Sequence, residues 1–183
     1  MHRLVILLAS WALLQTAWAG KAEVRVDTGI TSGVNISASI DINASAETVW
    51  QTLTDYNRLN EFVPNLVVSR VISAPGRPTR VEQRGDSGVL AFAVPDHVVL
   101  AMEERPPTLI RFRAVSGSVL AMNGEWRISG AGLPIRLTYR AKVMPMVPPP
   151  PFVSEGIIRD EISRRIEAVG REAEKRHAQK SRG

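Results

Sequence analysis

Hydrophobic and polar residues alternate along residues 34–43, with valine, isoleucine or alanine at each even position and asparagine, serine or aspartate at each odd one. A period of two is typical of a strand with one buried face. From Ser45 the spacing becomes helical. It predicts two short helices, one with Val49, Trp50 and Leu53 and the next with Tyr56, Leu59, Phe62 and Val63. Ser45 is a favourable N-cap, and Pro64 ends the second helix.

Short apolar segments continue to residue 143, separated by turns that contain proline, glycine or aspartate. They predict seven further strands, at residues 66–72, 79–84, 89–94, 97–104, 109–115, 124–129 and 135–143. Frequent strands with short connections are typical of a meander in an antiparallel sheet.

The longest helical pattern begins at Ser154, after a proline run at residues 148–151. Polyproline cannot donate to a strand ladder, so this run ends the sheet and acts as a spacer. The helix has one apolar stripe, which predicts packing against the sheet: Ile158, Ile162, Ile166, Val169 and Ala173. The predicted fold class is α+β, with one curved antiparallel sheet wrapped round the long C-terminal helix.

The first 19 residues have the features of a signal peptide. Arg3 precedes an apolar run at residues 4–14, and Ala17-Trp18-Ala19 fits the small-x-small rule for cleavage. The run is shorter than the roughly 20 residues that a membrane span needs. The alternative, an uncleaved amphipathic or buried helix, would show polar residues at helical spacing. We therefore predict cleavage after Ala19 and a periplasmic or secreted protein.

The mature chain is predicted to form one domain with a short arm and a short tail. Residues 20–33 form the N-terminal arm, in which residues 23–26 are either an edge strand or part of a loose segment. Residues 34–178 form the domain, which is long enough to enclose a core and a cavity. Residues 179–183 are polar and are predicted to be a disordered tail.

The composition limits the classes of partner that we expect for this protein. The chain has no cysteine, which excludes disulfides and thiolate metal sites. The pI of about 10.2 reflects a formal net charge of only +5, and no aromatic-basic module for stacking bases is present, so we expect no nucleic-acid partner. The basic surface suggests transient contact with an anionic membrane surface; solvated charges that aid solubility are the alternative. We expect a monomer, although the sequence leaves the oligomeric state open.

Several motifs resemble the polyketide cyclase/dehydrase and coenzyme Q-binding branch of the START-like (SRPBCC) superfamily. They are Asn43-Ala44-Ser45-Ala46-Glu47-Thr48-Val49-Trp50, Thr54-Asp55-Tyr56, Phe62-Val63-Pro64, Glu104-Arg105-Pro106-Pro107 and Gly124-Glu125-Trp126-Arg127-Ile128. The resemblance covers residues 34–176. It implies a helix-grip fold, and because the superfamily hosts many activities on one scaffold it does not specify the ligand.

A curved sheet and a straight helix cannot touch along their whole length, so we expect a cavity between them. Ligand pockets of this kind measure about 300–1,000 Å³ and are mostly apolar. The predicted ligand-binding residues are Tyr56, Phe62, Phe112, Trp126, Leu137, Tyr139, Ile162 and Ile166. Tyr139 has the parity of an inward residue, and its hydroxyl could bind a ligand oxygen. In the alternative interpretation these residues pack against one another and leave no cavity.

Motifs for catalysis are scarce. His97 is the only histidine in the body of the fold, and the sequence has no nucleophile motif, phosphate-binding glycine loop or cluster with metal-ligand spacing. We therefore assign no catalytic residue, cofactor or metal. A carboxylate, histidine or arginine inside the cavity, for example Glu103 or His97, would favour an enzyme.

Three hypotheses follow. The first is an exported binding or carrier protein for an apolar small molecule such as a lipid, a quinone or another isoprenoid. The second is a cyclase or dehydratase acting on a polyketide-like substrate in the same cavity, for which parity offers only Tyr139, Tyr56 and Gln83 as polar groups. The third is a protein-interaction module.

Overall fold

A computed structural model of the protein describes residues 20–29, 33–91, 93–147, 150 and 152–182. The predicted signal peptide, residues 1–19, lies outside the described residues, as does most of the proline run. Cleavage after Ala19 and export therefore stay predictions.

The described part of the chain contains eight strands and two α-helices. The strands are β1 (Glu23–Gly29), β2 (Gly33–Ile42), β3 (Leu66–Val71), β4 (Arg80–Gly85), β5 (His97–Arg105), β6 (Leu109–Gly117), β7 (Val119–Ser129) and β8 (Ile135–Pro145), and the helices are α1 (Ala46–Thr54) and α2 (Glu155–Lys180). The strand order is β1-β2-β8-β7-β6-β5-β4-β3, and every pairing is antiparallel. This arrangement confirms the predicted α+β fold and the meander. Of the two short helices predicted after the first strand, the first is α1 and the second is a single 3₁₀ turn, Leu59–Glu61.

Helix α2 packs its apolar stripe on β1, β2 and α1. The five stripe residues predicted from the sequence are all at most 6% exposed. Ser154 caps the helix, because its Oγ accepts a hydrogen bond from the N–H of Ile157 at 3.4 Å. The helix ends at Lys180, inside the segment predicted to be a tail. None of the helices in the described ranges is long and apolar enough to cross a membrane.

Three glutamates of α2 attach the helix to the β1–β2 side of the sheet. They accept hydrogen bonds from backbone N–H groups: Glu155 from Thr28 at 3.1 Å, Glu167 from Ala22 at 3.1 Å and Glu174 from Asn43 at 2.8 Å. Residues 23–29 pair with β2 along their whole length. Of the two alternatives for the arm, the structure therefore shows an edge strand that is bound to the helix.

The strand predicted at residues 89–94 is wrong. Residues Gly88–Leu90 form a 3₁₀ turn instead, and β4 pairs directly with β5, so that no further strand fits between them. The apolar residues Leu90 and Ala93 of this segment are buried against the core, although they do not belong to a strand. An apolar run of this length cannot be assigned to strand or loop by its pattern alone.

Gly124 in β7 allows a close approach between neighbouring strands. A Cβ atom built on Gly124 would meet the Phe112 ring of β6 and the Arg140 carbonyl oxygen of β8 at distances that real Cβ atoms essentially never show. Glycine in a strand commonly marks a site of this kind. The missing side chain leaves the space in which the Phe112 ring lies.

The outer face of the sheet carries a buried carboxylate, Glu82 of β4, whose side chain is 8% exposed. Arg70 Nη2 lies 2.6 Å and Arg84 Nη2 lies 2.9 Å from its oxygens, and His97 Nε2 lies 3.3 Å away. The hydrogen bonds from Arg70 and Arg84 lower the pKa of Glu82 from 4.5 to about 2. The charged form of Glu82 is therefore favoured in the folded state.

We expect G124A to lower the free energy of unfolding by about 1–3 kcal/mol, because the new methyl group must displace the Phe112 ring or the β8 backbone. Gly132 is the matched control, since a Cβ there meets no atom within 4 Å. Chemical denaturation of both variants checks the prediction, and equal stabilities would contradict it.

We expect acid to remove the stabilisation contributed by Glu82. Because its folded pKa lies below its ordinary value, the stabilisation is complete above about pH 4.5 and is lost as the pH falls towards 2. E82Q should therefore flatten the dependence of unfolding free energy on pH in this window. At neutral pH, E103Q should destabilise much less, because Glu103 is 58% exposed and its ion pairs are solvated. The prediction is refuted if the unfolding free energies of E82Q and the wild type fall equally steeply as the pH decreases from 4.5 to 2.

Candidate functional site

A cavity of about 170 Å³ lies between the sheet and α2. Its walls are mostly apolar and come from α1, from strands β4 to β8, from α2 and from two connecting segments, residues 59–66 and the described part of 85–95. We call these two segments the loop wall. The volume is below the 300–1,000 Å³ typical of pockets for drug-sized ligands, and it is smaller than the sequence led us to expect.

Three aromatic rings on neighbouring strands line the cavity. Phe112 of β6 stacks with Tyr139 of β8 at 6.0 Å between ring centroids, and Trp126 of β7 lies 4.4 Å from the same tyrosine. Offset and tilted geometries of this kind are favourable for aromatic pairs. The rings form one continuous wall, and Gly124 provides the room in which Phe112 can take part in it.

The structure brings six of the eight predicted site residues to the cavity lining: Tyr56, Phe112, Trp126, Tyr139, Ile162 and Ile166. Two lie elsewhere. Leu137 has no exposed surface and is paired with Ile40 and Ile128 on the adjacent strands, which places it in the solid core. Phe62 is half-buried outside the lining, with the guanidinium of Arg176 5.5 Å from its ring centroid.

Arg165 of α2 lines the cavity and was missed by the sequence analysis. It was counted with the polar residues of the helix. Its position nevertheless gives a signal, because Ile162 lies three residues before it and Val169 four residues after it, and both line the cavity. Residues at these spacings share one side of a helix. Gln83 of β4, which parity had placed near the cavity, also lines it.

Arg165 belongs to a buried polar network. Its Nε donates to Glu161 Oε1 at 2.7 Å, and its Nη2 donates to the backbone oxygen of Asn65 at 3.4 Å. Glu161 is 2% exposed and also accepts from Arg164 at 2.6 Å and from Asn65 Nδ2 at 3.1 Å. Burial acts to raise the pKa of Glu161, but the hydrogen bonds from the two arginines and Asn65 prevail and lower it. Glu161 is therefore a buried anion with paired charges.

Asn65 connects the loop wall to α2. Its φ of 56° is left-handed, a conformation that asparagine tolerates better than most residues. In this conformation its backbone oxygen also accepts from the N–H of Asp86 at 3.0 Å. One residue thus links both segments of the loop wall to the Glu161–Arg165 pair.

Two tyrosine hydroxyls differ in their partners. Tyr56 donates to Glu104 Oε1 at 2.8 Å, and burial together with this bond raises the pKa of Tyr56. Within the described residues the hydroxyl of Tyr139 has no hydrogen-bond partner, and burial raises its pKa while the charge of Arg165 opposes the rise. At neutral pH the Tyr139 hydroxyl is therefore a neutral donor without a partner, beside a guanidinium.

The two residues that would have favoured an enzyme do not line the cavity. His97 lies beside Glu82 on the outer face, and Glu103 pairs there with Arg105 and Arg111. Across the described residues of the cavity wall, no carboxylate or histidine is present. The part of the chain with coordinates also shows no group of three histidine, aspartate or glutamate residues that could hold a metal ion.

Solved structures with the same architecture include a STAR-related lipid transfer protein from Xanthomonas axonopodis, with a TM-score of 0.63 and 14% identity over 84% of this chain and 93% of that one. The Zhui aromatase/cyclase from Streptomyces sp. R1128 has a TM-score of 0.56 and 17% identity, over 84% and 96% of the two chains. A protein from Thermus thermophilus has a TM-score of 0.60 and 16% identity, over 80% and 99%. At these identities the likeness shows the fold.

Sequence comparison with curated proteins gives no match. The model of one protein family, described as polyketide cyclase / dehydrase and lipid transport, matches residues 42–169, which is well over half of the chain. The strand order, the long C-terminal helix and the cavity between them agree with the START-like helix-grip fold of the lipid transfer protein. The chain therefore belongs to the polyketide cyclase/dehydrase and lipid transport family.

Proposed function

We propose that this protein binds an apolar small molecule, such as a lipid, a quinone or another isoprenoid, and carries it without transforming it. The observation that supports this proposal is the cavity between the sheet and α2, whose lining is apolar apart from four side chains: Tyr56, Gln83, Tyr139 and Arg165. Burying about 300 Å² of ligand surface would contribute about 7 kcal/mol before the ordering costs of binding. Useful affinity therefore needs no covalent or metal chemistry.

The cavity must expand to accept a whole ligand of this class. Met102 and Met122 are half-buried and line it, and methionine side chains adapt readily to a new shape because they are unbranched. The loop wall is the other adjustable part, since its hydrogen bonds to α2 among the described residues are those made by Asn65. In this proposal the ligand enters through the loop wall.

A cyclase or dehydratase is the second candidate, and the presence of Arg165 beside Tyr139 favours it. These groups could polarise a substrate carbonyl. A proton acceptor is also needed, and the described lining supplies no carboxylate or histidine for that role. Glu104 contacts the cavity only through the Tyr56 hydroxyl. We therefore favour the carrier, because binding an apolar ligand requires no proton acceptor in the cavity lining.

We also propose that the carrier acts outside the cytoplasm after the leader has been removed. The motif Ala17-Trp18-Ala19 and the apolar run before it support this proposal. Export would place an apolar carrier where molecules must cross the aqueous space between membranes.

We expect I166W to fill the cavity and lower the affinity for apolar ligands about tenfold or more, because Ile166 is 2% exposed and lines it. Ile157 on the same helix is 45% exposed, so I157W is the matched control and should bind like the wild type. Native mass spectrometry without detergent, followed by extraction of co-purifying molecules, measures occupancy, and circular dichroism checks folding. Equal occupancy of both variants, or no uptake by the wild type, would refute the carrier.

We expect expression in a Gram-negative host to yield a periplasmic protein whose first residue is Gly20. Fractionation followed by N-terminal sequencing measures this. A17R should block cleavage, because signal peptidase requires a small residue at that position, while H2A should have no effect. A cytoplasmic protein that retains residues 1–19 would contradict export and leave the cavity proposal intact.

A further inference from the structure

Two polar side chains of the cavity lining, Arg165 and Tyr139, form what we call the polar corner. Arg165 comes from α2 and Tyr139 from β8, and the charge of Arg165 opposes the rise in the pKa of the Tyr139 hydroxyl. A cavity that holds hydrocarbon alone has no need of a guanidinium, because burying a charge costs free energy that apolar contacts do not return. The polar corner therefore requires an explanation that the apolar walls do not give.

Arg165 has more N–H donors than it has hydrogen bonds among the described residues. A guanidinium has five N–H donors. Among the described residues one N–H of Arg165 donates to Glu161 and one donates to the backbone oxygen of Asn65. Three donors remain, on a side chain that is 16% exposed. This number suffices for a two-oxygen acceptor, the group that arginine binds in bidentate geometry.

The charge of Arg165 is only partly neutralised by its carboxylate partner. Glu161 is the single carboxylate of the pair network, and it is shared by Arg164 and Arg165. Its two oxygens are occupied by these arginines and by Asn65 Nδ2. Arg164 is 60% exposed, so water solvates its charge, whereas Arg165 lines the cavity and is the cation that an anionic ligand group would meet there.

Tyr139 adds a directed donor to the corner. No hydrogen bond of its hydroxyl is found in the described part of the chain, so the O–H is available to an oxygen of a ligand in the cavity. The ring is fixed by its contacts with Phe112 and Trp126. A ligand oxygen between Tyr139 and Arg165 would satisfy both groups at once.

We propose that the ligand is an amphipathic monocarboxylate, with its carboxylate bound by Arg165 and Tyr139 and its apolar part lying against the aromatic wall. Glu161 is a positioning residue, since it fixes the guanidinium by accepting its Nε–H. This inference rests on the proposed function, because it specifies the class of molecule in the same cavity.

Decanoate and decan-1-ol are a matched pair of probes, equal in chain length and different in the head group. The wild type is expected to bind decanoate about 10- to 100-fold more tightly, the range of a charge-assisted hydrogen bond. R165M should remove this preference by weakening decanoate binding, with little change for decan-1-ol. R164M is the matched control, because Arg164 pairs with the same Glu161 but is 60% exposed and does not line the cavity. It should keep the preference.

A second variant tests the inference independently, in case R165M does not fold. Y139F preserves the ring and its packing, and it is expected to weaken decanoate binding several-fold and decan-1-ol binding less, because a hydrogen bond to a carboxylate is stronger than one to a neutral hydroxyl. Isothermal titration calorimetry measures all affinities. Equal binding of both probes by the wild type, or parallel losses for both probes in R165M and Y139F, would overturn the carboxylate inference and leave the apolar carrier standing. Failure of the wild type to bind either probe would overturn both.

Discussion

The packing of α2 against the sheet is the interaction on which the rest of the structure depends. Its apolar stripe supplies one side of the core, and Glu155, Glu167 and Glu174 fix the helix to the backbone of the β1–β2 side. These acceptors bind backbone N–H groups, and the buried side chains of Val24 and Val26 in β1 belong to the same apolar core as the helix stripe. The position of the helix in turn sets the width of the cavity and the place of Arg165 in it.

The polar corner shows how a charge can be accommodated beside hydrocarbon walls. Glu161 has almost no exposed surface, and it is tolerable because two arginines and an asparagine amide occupy its oxygens. Arg164 reaches solvent, whereas Arg165 remains in the lining. Glu161 thus forms ion pairs with one arginine that is exposed to solvent and with another that lines the cavity.

Local periodicity was enough to predict the fold and part of the site. The alternation along β2 and β8 assigned Tyr139 to the inner face, since strand parity depends on neighbouring residues alone. The volume was not predictable, because it depends on how three rings from different strands stack. Arg165 was missed since a long side chain on the border of an apolar stripe can turn either way. Residues 89–94 looked like a strand because a loop that covers a cavity needs the same apolar residues.

The attachments of α2 are unequal on its two sides. Towards β1 and β2 the helix is bound to strand backbone, whereas towards β3 and β4 its described polar links run through Asn65. Movement of the loop wall away from the helix breaks these hydrogen bonds and exposes Leu90 and Ala93, but it leaves the bonds of Glu155, Glu167 and Glu174 to the strand side intact. The rate at which the cavity exchanges its contents and the rate at which the domain unfolds are therefore separate quantities, set on opposite sides of one helix. Selection can speed the first without weakening the second.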